Sequence, residues 1–247
     1  KIVDASSLFN NFSLDFDGVN EYLTVPDANN LSFGDGVTDN PFSILAWINM
    51  DDATDFTLID KITSGSILEY DFISRTSKFM FRLFDGNSVN MIGKQTQTTF
   101  TSDQGTWILM AGTYDGSGSV SGIKIYRNGV VLATDNISAG TYVAMHNTTT
   151  PLSIGRTPSA SVFANGKISM VRFVNKELSA AEVLGSYNNG KVLNKNNLTF
   201  KNNLISQWAM GDGSTFDETN WTIQDDVGSN DATSVNMLKN NRIDDVP

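Results

Sequence analysis

The sequence predicts an all-β protein in which two antiparallel sheets pack face to face as a sandwich. Short apolar runs recur along the 247 residues, and turns rich in Gly, Ser, Asn and Asp separate them. The acidic residues are 22 Asp and 5 Glu, and Asp favours turns whereas Glu favours helices. Residues 107–133 hold two apolar runs and a hairpin closed by Asn128 and Gly129, which both tolerate the positive φ of a type I′ turn.

The first two thirds of the sequence supply most of the predicted strands. The run 42–49 places Phe42 and Ile44 on one face and Leu45 and Trp47 on the other, which indicates a strand buried on both sides. Residues 17–20 predict a hairpin-like connection. The predicted strands are 12–16, 21–25, 42–49, 56–61, 66–74, 78–84, 87–92, 107–114, 123–126, 151–156, 163–174 and 204–210.

One short helix is predicted over residues 179–188. Ser179 and Glu182 have the spacing of a capping box, in which each side chain accepts a hydrogen bond from the other residue's backbone N–H. Apolar residues at helical spacing follow the box. The next segment, residues 190–203, is rich in Asn and Lys and predicts a surface linker.

Composition excludes several classes of function. A formal net charge of −10 repels nucleic acid, whose phosphates need a basic surface. No apolar run approaches the ~18 residues of a membrane span, so no membrane insertion is expected. The chain has no Cys, which excludes disulfides and thiolate metal sites. The sequence starts at Lys1, so we expect that a leader or a preceding domain can be missing from it.

Five segments, in this order, resemble the laminin-G-like, concanavalin A-like jelly-roll family. The resemblance implies a two-sheet antiparallel jelly-roll over residues 1–237, in which 204–237 complete the sandwich and 238–247 form a tail. The fifth segment usually opens such domains but closes this chain. The segments are SLDFDGVNEYLTV at 13–25, FSILAWI at 42–48, residues 107–134, PLSIGR at 151–156 with 166–183, and LISQWAMGDG at 204–213 with 223–237.

Residues 210–213 and 225–237 are also similar to modules of tailed-phage virion proteins. This resemblance implies a non-catalytic structural or binding module, such as a capsid decoration or a tail appendage, outside the cell or on the virion surface. Its expected partners are other virion proteins, copies of itself and a cell-surface glycan. The alternatives are a secreted bacterial carbohydrate-binding module and a glucanase-like glycoside hydrolase.

The residues argue against catalysis. The β-glucanases of this fold place carboxylates on one strand as Glu-x-Asp-x-x-Glu. The nearest match begins with Glu69 and Asp71 but ends in Ser74, so the general acid is missing. The single histidine, His146, lies in a Thr- and Asn-rich loop without the partners of a catalytic triad. We therefore predict that the protein is not an enzyme.

Aromatic residues supply the candidate ligand contacts. Trp221 stands among polar residues, where an exposed indole could stack on a sugar. The alternatives are a lid over the edge of the sandwich and a contact with a neighbouring subunit. Tyr114 and Asp115 are equally ambiguous. Trp47, Trp107 and Trp208 lie in apolar runs and are predicted to belong to the core.

Calcium is the cofactor that the sequence favours, in a structural role. Loop Asp and Asn residues provide the oxygen ligands that calcium prefers, whereas one His and no Cys leave little for zinc or copper. The alternative is that these side chains bind their own backbone in Asx turns. The family's acidic pair is replaced by Ser169 and Met170, which puts a calcium site drawing on that pair in doubt. The candidate ligands are Asp17, Asn20, Asp212, Asp225, Asn230 and Asp231.

The surfaces left over after the sandwich is built predict the contacts with partners. Lys124, Tyr126 and Arg172 are expected on outer sheet faces, facing solvent or a wet interface. The last residues, 238–247, are too polar to form a core. They are therefore expected to reach a neighbouring protein or another copy of the chain.

Overall fold

The structure is a computed structural model that describes residues 10–63 and 67–247. Its strands confirm the predicted all-β class, and α1, Ala180–Tyr187, is the one α-helix in this part of the chain. The strands are β1 Ser13–Asp17, β2 Tyr22–Val25, β3 Phe42–Met50, β4 Asp55–Ile62, β5 Leu68–Arg75, β6 Lys78–Phe84, β7 Met91–Thr96, β8 Ile108–Tyr114, β9 Ile123–Arg127, β10 Val130–Val131, β11 Thr134–Ala139, β12 Leu152–Ile154, β13 Arg156–Thr157, β14 Val162–Phe163, β15 Asn165–Val174, β16 Leu204–Trp208, β17 Met210–Gly213, β18 Thr215–Phe216, β19 Trp221–Ile223, β20 Ala232–Val235 and β21 Arg242–Ile243.

Two large antiparallel sheets form the predicted jelly-roll sandwich. The eight-stranded sheet has the order β10-β9-β8-β3-β15-β1-β21, and β16 also pairs with β15. The ten-stranded sheet has the order β11-β7-β6-β5-β4-β12-β2-β20-β19-β18. A separate hairpin of β13 and β14 lies beside β4. Sequence neighbours such as β1 and β2 lie in different sheets.

Two turns of this chain show how local sequence directs the path. Asn128 and Gly129 have φ values of 52° and 82° and join β9 to β10, which confirms the predicted hairpin. The hairpin predicted at residues 17–20 is wrong. There the Asp17 carboxylate caps the turn, but the chain then crosses from β1 in one sheet to β2 in the other.

The main core lies between the two sheets. On β3, Phe42 and Ile44 face this core, while Leu45 and Trp47 face a second, smaller cluster, as the run 42–49 predicts. Trp208 is fully buried and donates its indole N–H to the Asn230 carbonyl oxygen at 2.8 Å, so it is a core residue as predicted.

The second cluster covers the outer face of the eight-stranded sheet. Helix α1 and residues 188–203 lie on that face, and Leu198 and Phe200 of the linker are buried there. The capping box that starts α1 is confirmed by hydrogen bonds between Ser179 and Glu182. Two exposure predictions are therefore wrong. Tyr126 and Arg172 are each 2 % exposed beneath this cover, and only Lys124 faces solvent.

Arg172 fixes the linker from below. Its Nε donates to the Gln207 side-chain oxygen at 2.7 Å, and one of its terminal nitrogens donates to the Leu193 carbonyl oxygen. Burial lowers the pKa of Arg172 to about 9, while the Asp226 carboxylate opposes this shift. The buried Arg172 side chain therefore connects the sheet to residues 188–203 by hydrogen bonds.

The C-terminal residues are part of both sheets. Strand β16 pairs with β15, and β20 pairs with β2. The expectation that 238–247 reach outward is wrong for β21, which pairs with β1, and for Asp245, which accepts a hydrogen bond from the Trp107 indole at 2.9 Å. Trp107, which directly precedes β8, is half-buried and packs against the second cluster, so the prediction that it belongs to the core is only partly met.

Some strands have no counterpart in the sequence analysis. Strand β7 begins four residues after the start of the predicted strand 87–92. No individual strand was predicted at β11, β18, β19 or β20, although the family resemblance implies that residues 204–237, which include the last three, complete the sandwich. These segments are short and polar, and neighbouring strands, more than their own apolar pattern, hold them in the sheet. Among the described residues, no helix is long and apolar enough to cross a membrane.

Candidate functional site

Trp221 is not available as a sugar platform. The side chain is 2 % exposed, and its indole N–H donates to the Leu238 carbonyl oxygen at 3.0 Å. The ring also packs against Phe216 and lies 5.0 Å below the Arg242 guanidinium. The expectation of an exposed indole is wrong because β18 to β21 close over it.

Tyr114 is also engaged internally. Its hydroxyl donates to Asp39 at 2.6 Å and accepts a hydrogen bond from the Gly118 N–H at 2.6 Å. Tyr142 donates to the same Asp39 oxygen, and the pKa of Asp39 is raised because it is buried. Asp115 is exposed, but one of its oxygens caps the following turn. This cluster fixes loops and leaves the Tyr114 ring without an open face.

The predicted calcium ligands bind backbone groups. Asp17 accepts hydrogen bonds from Val19 and Asn20, as in an Asx turn. Asp212 accepts one from the backbone of Asn11 at 2.7 Å. No group of three or more His, Cys, Asp or Glu side chains within residues 10–63 and 67–247 could hold a metal ion.

The remaining candidates form a second bonded group in the C-terminal segment. Asp225 accepts hydrogen bonds from the N–H groups of Gln207 and Asn230, and Asp231 accepts one from Asp225. The Asn230 amide donates to the Ser206 hydroxyl at 2.8 Å. These contacts are those of a self-bonded loop, and calcium binding here stays a prediction.

The glucanase-like positions lie on the outer face of the ten-stranded sheet. Ser74 instead points inward and donates to the Ala53 carbonyl oxygen. Glu69 accepts a hydrogen bond from Lys61 at 2.6 Å, and both side chains are fully buried. Asp71 is likewise buried, and both of its oxygens accept hydrogen bonds from Arg82. These carboxylates are thus held in ion pairs.

Asp60 is the unusual member of this group. It lies directly opposite Asp71 in the register of β4 and β5, and it is fully buried. Neither Asp60 oxygen has a well-formed hydrogen bond, although Thr157 and the Ile62 N–H lie close by. Burial, and then the adjacent Asp71 charge, raise the pKa of Asp60 well above its usual range.

An open aromatic site lies further along the same face, and it is defined here as the platform: Tyr22, Arg156 and Phe163. All three residues are half-exposed. The ring centres of Tyr22 and Phe163 are 6.3 Å apart, and the rings are tilted by 45°. The Arg156 guanidinium carbon lies 4.6 Å from the Tyr22 ring centre and 5.8 Å from that of Phe163. These distances fit cation–π contacts.

The hairpin of β13 and β14 positions the platform. Arg156 and Phe163 are direct cross-strand partners, and the Thr57 and Thr157 hydroxyls are 2.9 Å apart, which joins the hairpin to β4. Gly155 precedes Arg156 at φ +86°, and a Cβ atom there would come within 2.7 Å of the Phe16 ring. Glycine is therefore required at the bend that brings Arg156 over the sheet.

A row of hydroxyl groups runs across the strands beside the platform, and it is defined here as the hydroxyl row. Its register is continuous over five strands, from β18 through β19, β20 and β2 to β12. Leu23 and Ile154 point to the core, so the intervening residues point outward. The row consists of Thr215, Thr222, Thr233, Thr24 and Ser153, and its hydroxyls form no hydrogen bond within the described residues.

Sequence reasoning missed this site, although one signal was present. The run 21–25 alternates polar and apolar residues, which places Tyr22 and Thr24 on the face opposite Leu23 and Val25. The contribution of Arg156 and Phe163 depends on the hairpin docking on β4. No local pattern in the sequence predicts that the hairpin docks on β4.

The two packed antiparallel sheets define a jelly-roll β-sandwich. The profile of the Laminin_G_3 family, described as Concanavalin A-like lectin/glucanases superfamily, matches residues 17–184. The chain belongs to this family, as the sequence resemblance predicted. A search of the curated proteins found no match.

One of the similar solved structures supports the fold, at low sequence identity. A candidate carbohydrate-binding protein from Bacteroides ovatus is 15% identical with a TM-score of 0.61, and the alignment covers 95% of this chain and 60% of that one. The chain thus spans about 60% of that protein's length. A pentraxin from Limulus polyphemus is 12% identical, with a TM-score of 0.48 and coverages of 72% and 82%. Domains LG4-5 of the mouse laminin α1 chain are 11% identical, with a TM-score of 0.45 and coverages of 70% and 44%.

Proposed function

We propose that this protein is a non-catalytic module that binds a glycan on the outer face of its ten-stranded sheet. The observation that carries the proposal is the half-exposed platform of Tyr22, Arg156 and Phe163, with unengaged hydroxyls beside it. Both classes named in the family description, lectins and glucanases, act on carbohydrate. The Bacteroides ovatus protein is itself named for carbohydrate binding.

The platform suits the two kinds of surface that a sugar ring presents. The C–H groups of a ring face pack against an aromatic side chain, which provides a large contact area at a low cost in conformational entropy. The ring hydroxyls need donors and acceptors around that contact. Thr24 and Thr233 are direct cross-strand partners next to Tyr22 and supply such groups.

The buried charges support binding without hydrolysis. A glycosidase needs two carboxylates that flank and reach the scissile bond. Glu69 and Asp71 are fully buried, and each is bound to a cation, Lys61 or Arg82. Asp60 is equally inaccessible. These carboxylates are therefore enclosed within the protein and do not contact a ligand on the platform.

We keep the extracellular or virion surface as the proposed location, with other virion proteins or copies of the chain as partners. This part of the proposal follows from the similarity of residues 210–213 and 225–237 to phage modules. Genes for capsid and tail proteins beside this one would support a virion, whereas a polysaccharide-degrading cluster would support a secreted bacterial module.

A glycan array followed by titration calorimetry tests the proposal. We expect the protein to bind at least one glycan class, and Tyr22→Ala or Phe163→Ala to weaken that binding about tenfold or more. The reference is the loss of about 1–3 kcal/mol when an aromatic side chain that stacks on a nucleic-acid base is replaced by alanine, and we expect a loss of similar size for a sugar ring. Phe12→Ala is the matched control, since this half-exposed ring also lies under an arginine, Arg242, which packs on the core-facing Trp221 and not on the platform.

The outcomes separate the competing functions. Absence of glycan binding, or equal losses with Tyr22→Ala and Phe12→Ala, would refute the proposed site. Hydrolysis of laminarin or another β-glucan by the purified protein would establish the glucanase alternative instead.

A further inference from the structure

Arg156 is a cation that has no anionic partner. It forms no ion pair or hydrogen bond within the described residues, and its Nε atom is buried without an acceptor. Its contacts are the rings of Tyr22 and Phe163, which fix the position of the guanidinium but leave its N–H donors unused. Unused donors at an accessible site are available to a ligand.

Four of the other five arginines form an ion pair or a side-chain hydrogen bond within the described residues, and the exception is Arg242. Arg75, Arg82 and Arg127 each pair with an Asp, and Arg172 is enclosed beneath residues 188–203. Acidic residues outnumber basic ones by 27 to 17, so an acidic partner was readily available in this sequence. Arg242 is likewise stacked on rings, but it lies between Phe12 and the buried Trp221 and joins the chain termini.

We propose that Arg156 binds the carboxylate of an acidic sugar, so that the ligand of this module is an acidic glycan. The inference rests on the proposed glycan-binding function and names the ligand class of the same platform. The planar guanidinium presents paired N–H donors that match the two oxygens of a carboxylate. The sugar ring that carries the carboxylate packs on Tyr22 or Phe163.

The hydroxyl row extends the site in one direction. Thr24 lies two residues from Tyr22 on the same face of β2, and Thr233 and Thr222 continue the row toward the sheet edge. Neighbouring strands are about 4.8 Å apart, so three steps of the row cover about 14 Å. This length accommodates further sugar units, whose hydroxyls bond to the threonines, while Arg156 sets the position of the acidic unit.

The test compares acidic sugars with neutral partners of the same shape. The probes are hexagalacturonate and its methyl ester, a hyaluronan hexasaccharide and its carboxyl-reduced form, and sialyllactose and its methyl ester. The protein should bind at least one acidic member about tenfold or more tightly than its neutral partner, and the preference should weaken with added salt. The three pairs distinguish uronic from sialic acids.

Two charge-matched variants locate the effect. Arg156→Gln should reduce the acidic preference to less than about twofold, whereas Arg242→Gln removes the same charge from another ring-stacked arginine and should keep the preference. Arg156→Lys retains the charge without the planar fork and should fall between them. Melting curves of each variant confirm that it is folded.

The results distinguish the role of Arg156 from the proposed glycan-binding function. Binding of neutral glycans without an acidic preference, or an acidic preference that Arg156→Gln leaves intact, would overturn the role of Arg156 and leave glycan binding standing. Binding of no glycan at all would overturn both.

Discussion

The outer faces of the two sheets differ, since one is covered by other parts of the chain and the other is partly open. The outer face of the eight-stranded sheet is sealed by α1 and residues 188–203, which bury Trp47, Leu198 and Phe200 in a second apolar cluster. The outer face of the ten-stranded sheet carries buried ion pairs, a row of hydroxyls and the half-exposed platform. Apolar side chains on the first face are buried by α1 and residues 188–203, whereas the second face keeps the platform partly accessible to solvent.

If the proposed function holds, this difference separates the residues that stabilise the fold from those that bind the glycan. Apolar area removed from water stabilises the sealed face, so truncation there should lower the free energy of unfolding. On the other face, the platform side chains contact little of the core, and their loss should affect binding more than folding. Between these extremes lie the buried ion pairs of the ten-stranded sheet, in which each charge needs its partner.

The largest expected effect is the loss of one partner from a buried ion pair. Lys61→Met should lower the free energy of unfolding by about 3–5 kcal/mol, because it leaves the fully buried Glu69 carboxylate without its cation. The double variant Lys61→Met with Glu69→Leu is the control and should recover most of this loss. Denaturant unfolding measures both, and equal stability of the two variants would contradict the assignment.

The sealed face should respond next most strongly. Phe200→Ala should cost about 3 kcal/mol, because it leaves a cavity in the second cluster, where the ring is 2 % exposed. Tyr22→Ala on the open face is the comparison and should cost less than about 1 kcal/mol. If the two variants unfold at the same denaturant concentration, the distinction between the faces fails.

A smaller, pH-dependent effect is expected at Asp60. Its pKa is raised in the folded state, so the folded protein holds this proton more tightly than the unfolded chain does. The stabilisation from the protonated form is complete below the usual pKa of Asp and is lost as the pH rises through the raised pKa. Asp60→Asn, which stays neutral, should therefore melt higher than the parent protein at pH 8.

The control for Asp60 is the same comparison at pH 4, where the carboxyl is protonated in the folded protein and the advantage of Asn should disappear. Thermal melting from pH 4 to pH 8 measures the difference. A constant difference across that range would show that packing, and not ionisation, distinguishes the two side chains.

The smallest expected effect is that of calcium. A ligand that binds only the folded state raises its melting temperature, so the calcium prediction expects an increase of a few degrees at concentrations about tenfold above the dissociation constant. Asp225→Asn should remove that increase if the C-terminal loop supplies the ligands. Identical melting temperatures in millimolar calcium and in chelator would contradict the calcium prediction. The Asp225 carboxylate would then serve only as the acceptor of its backbone hydrogen bonds.

The sequence determined the class of fold because its signals are local. Asn128 and Gly129 form their turn, Ser179 and Glu182 form their capping box, and the alternating residues of 42–49 face the two clusters as predicted. Each of these features depends on neighbours within a few residues. The predicted hairpin between β1 and β2 is wrong because a tight turn does not specify whether the chain stays in the same sheet.

The site was harder to predict because its parts meet through distant contacts. Trp221 stands among polar residues in the sequence, yet β18 to β21 close around it. Arg156 and Phe163 become a platform only because their hairpin docks on β4 and faces Tyr22, more than 130 residues earlier. Such a constellation is fixed by tertiary packing, to which local polarity is a poor guide.

Chemical-shift mapping by NMR with a glycan selected on the array tests most directly which face binds. Amide signals should shift in β2, β13, β14 and β20, which surround the platform and the hydroxyl row. Signals in α1 and residues 188–203 on the sealed face should stay unchanged. Shifts confined to α1 and residues 188–203, or to the loop that holds Tyr114 and Asp115, would contradict the proposed site.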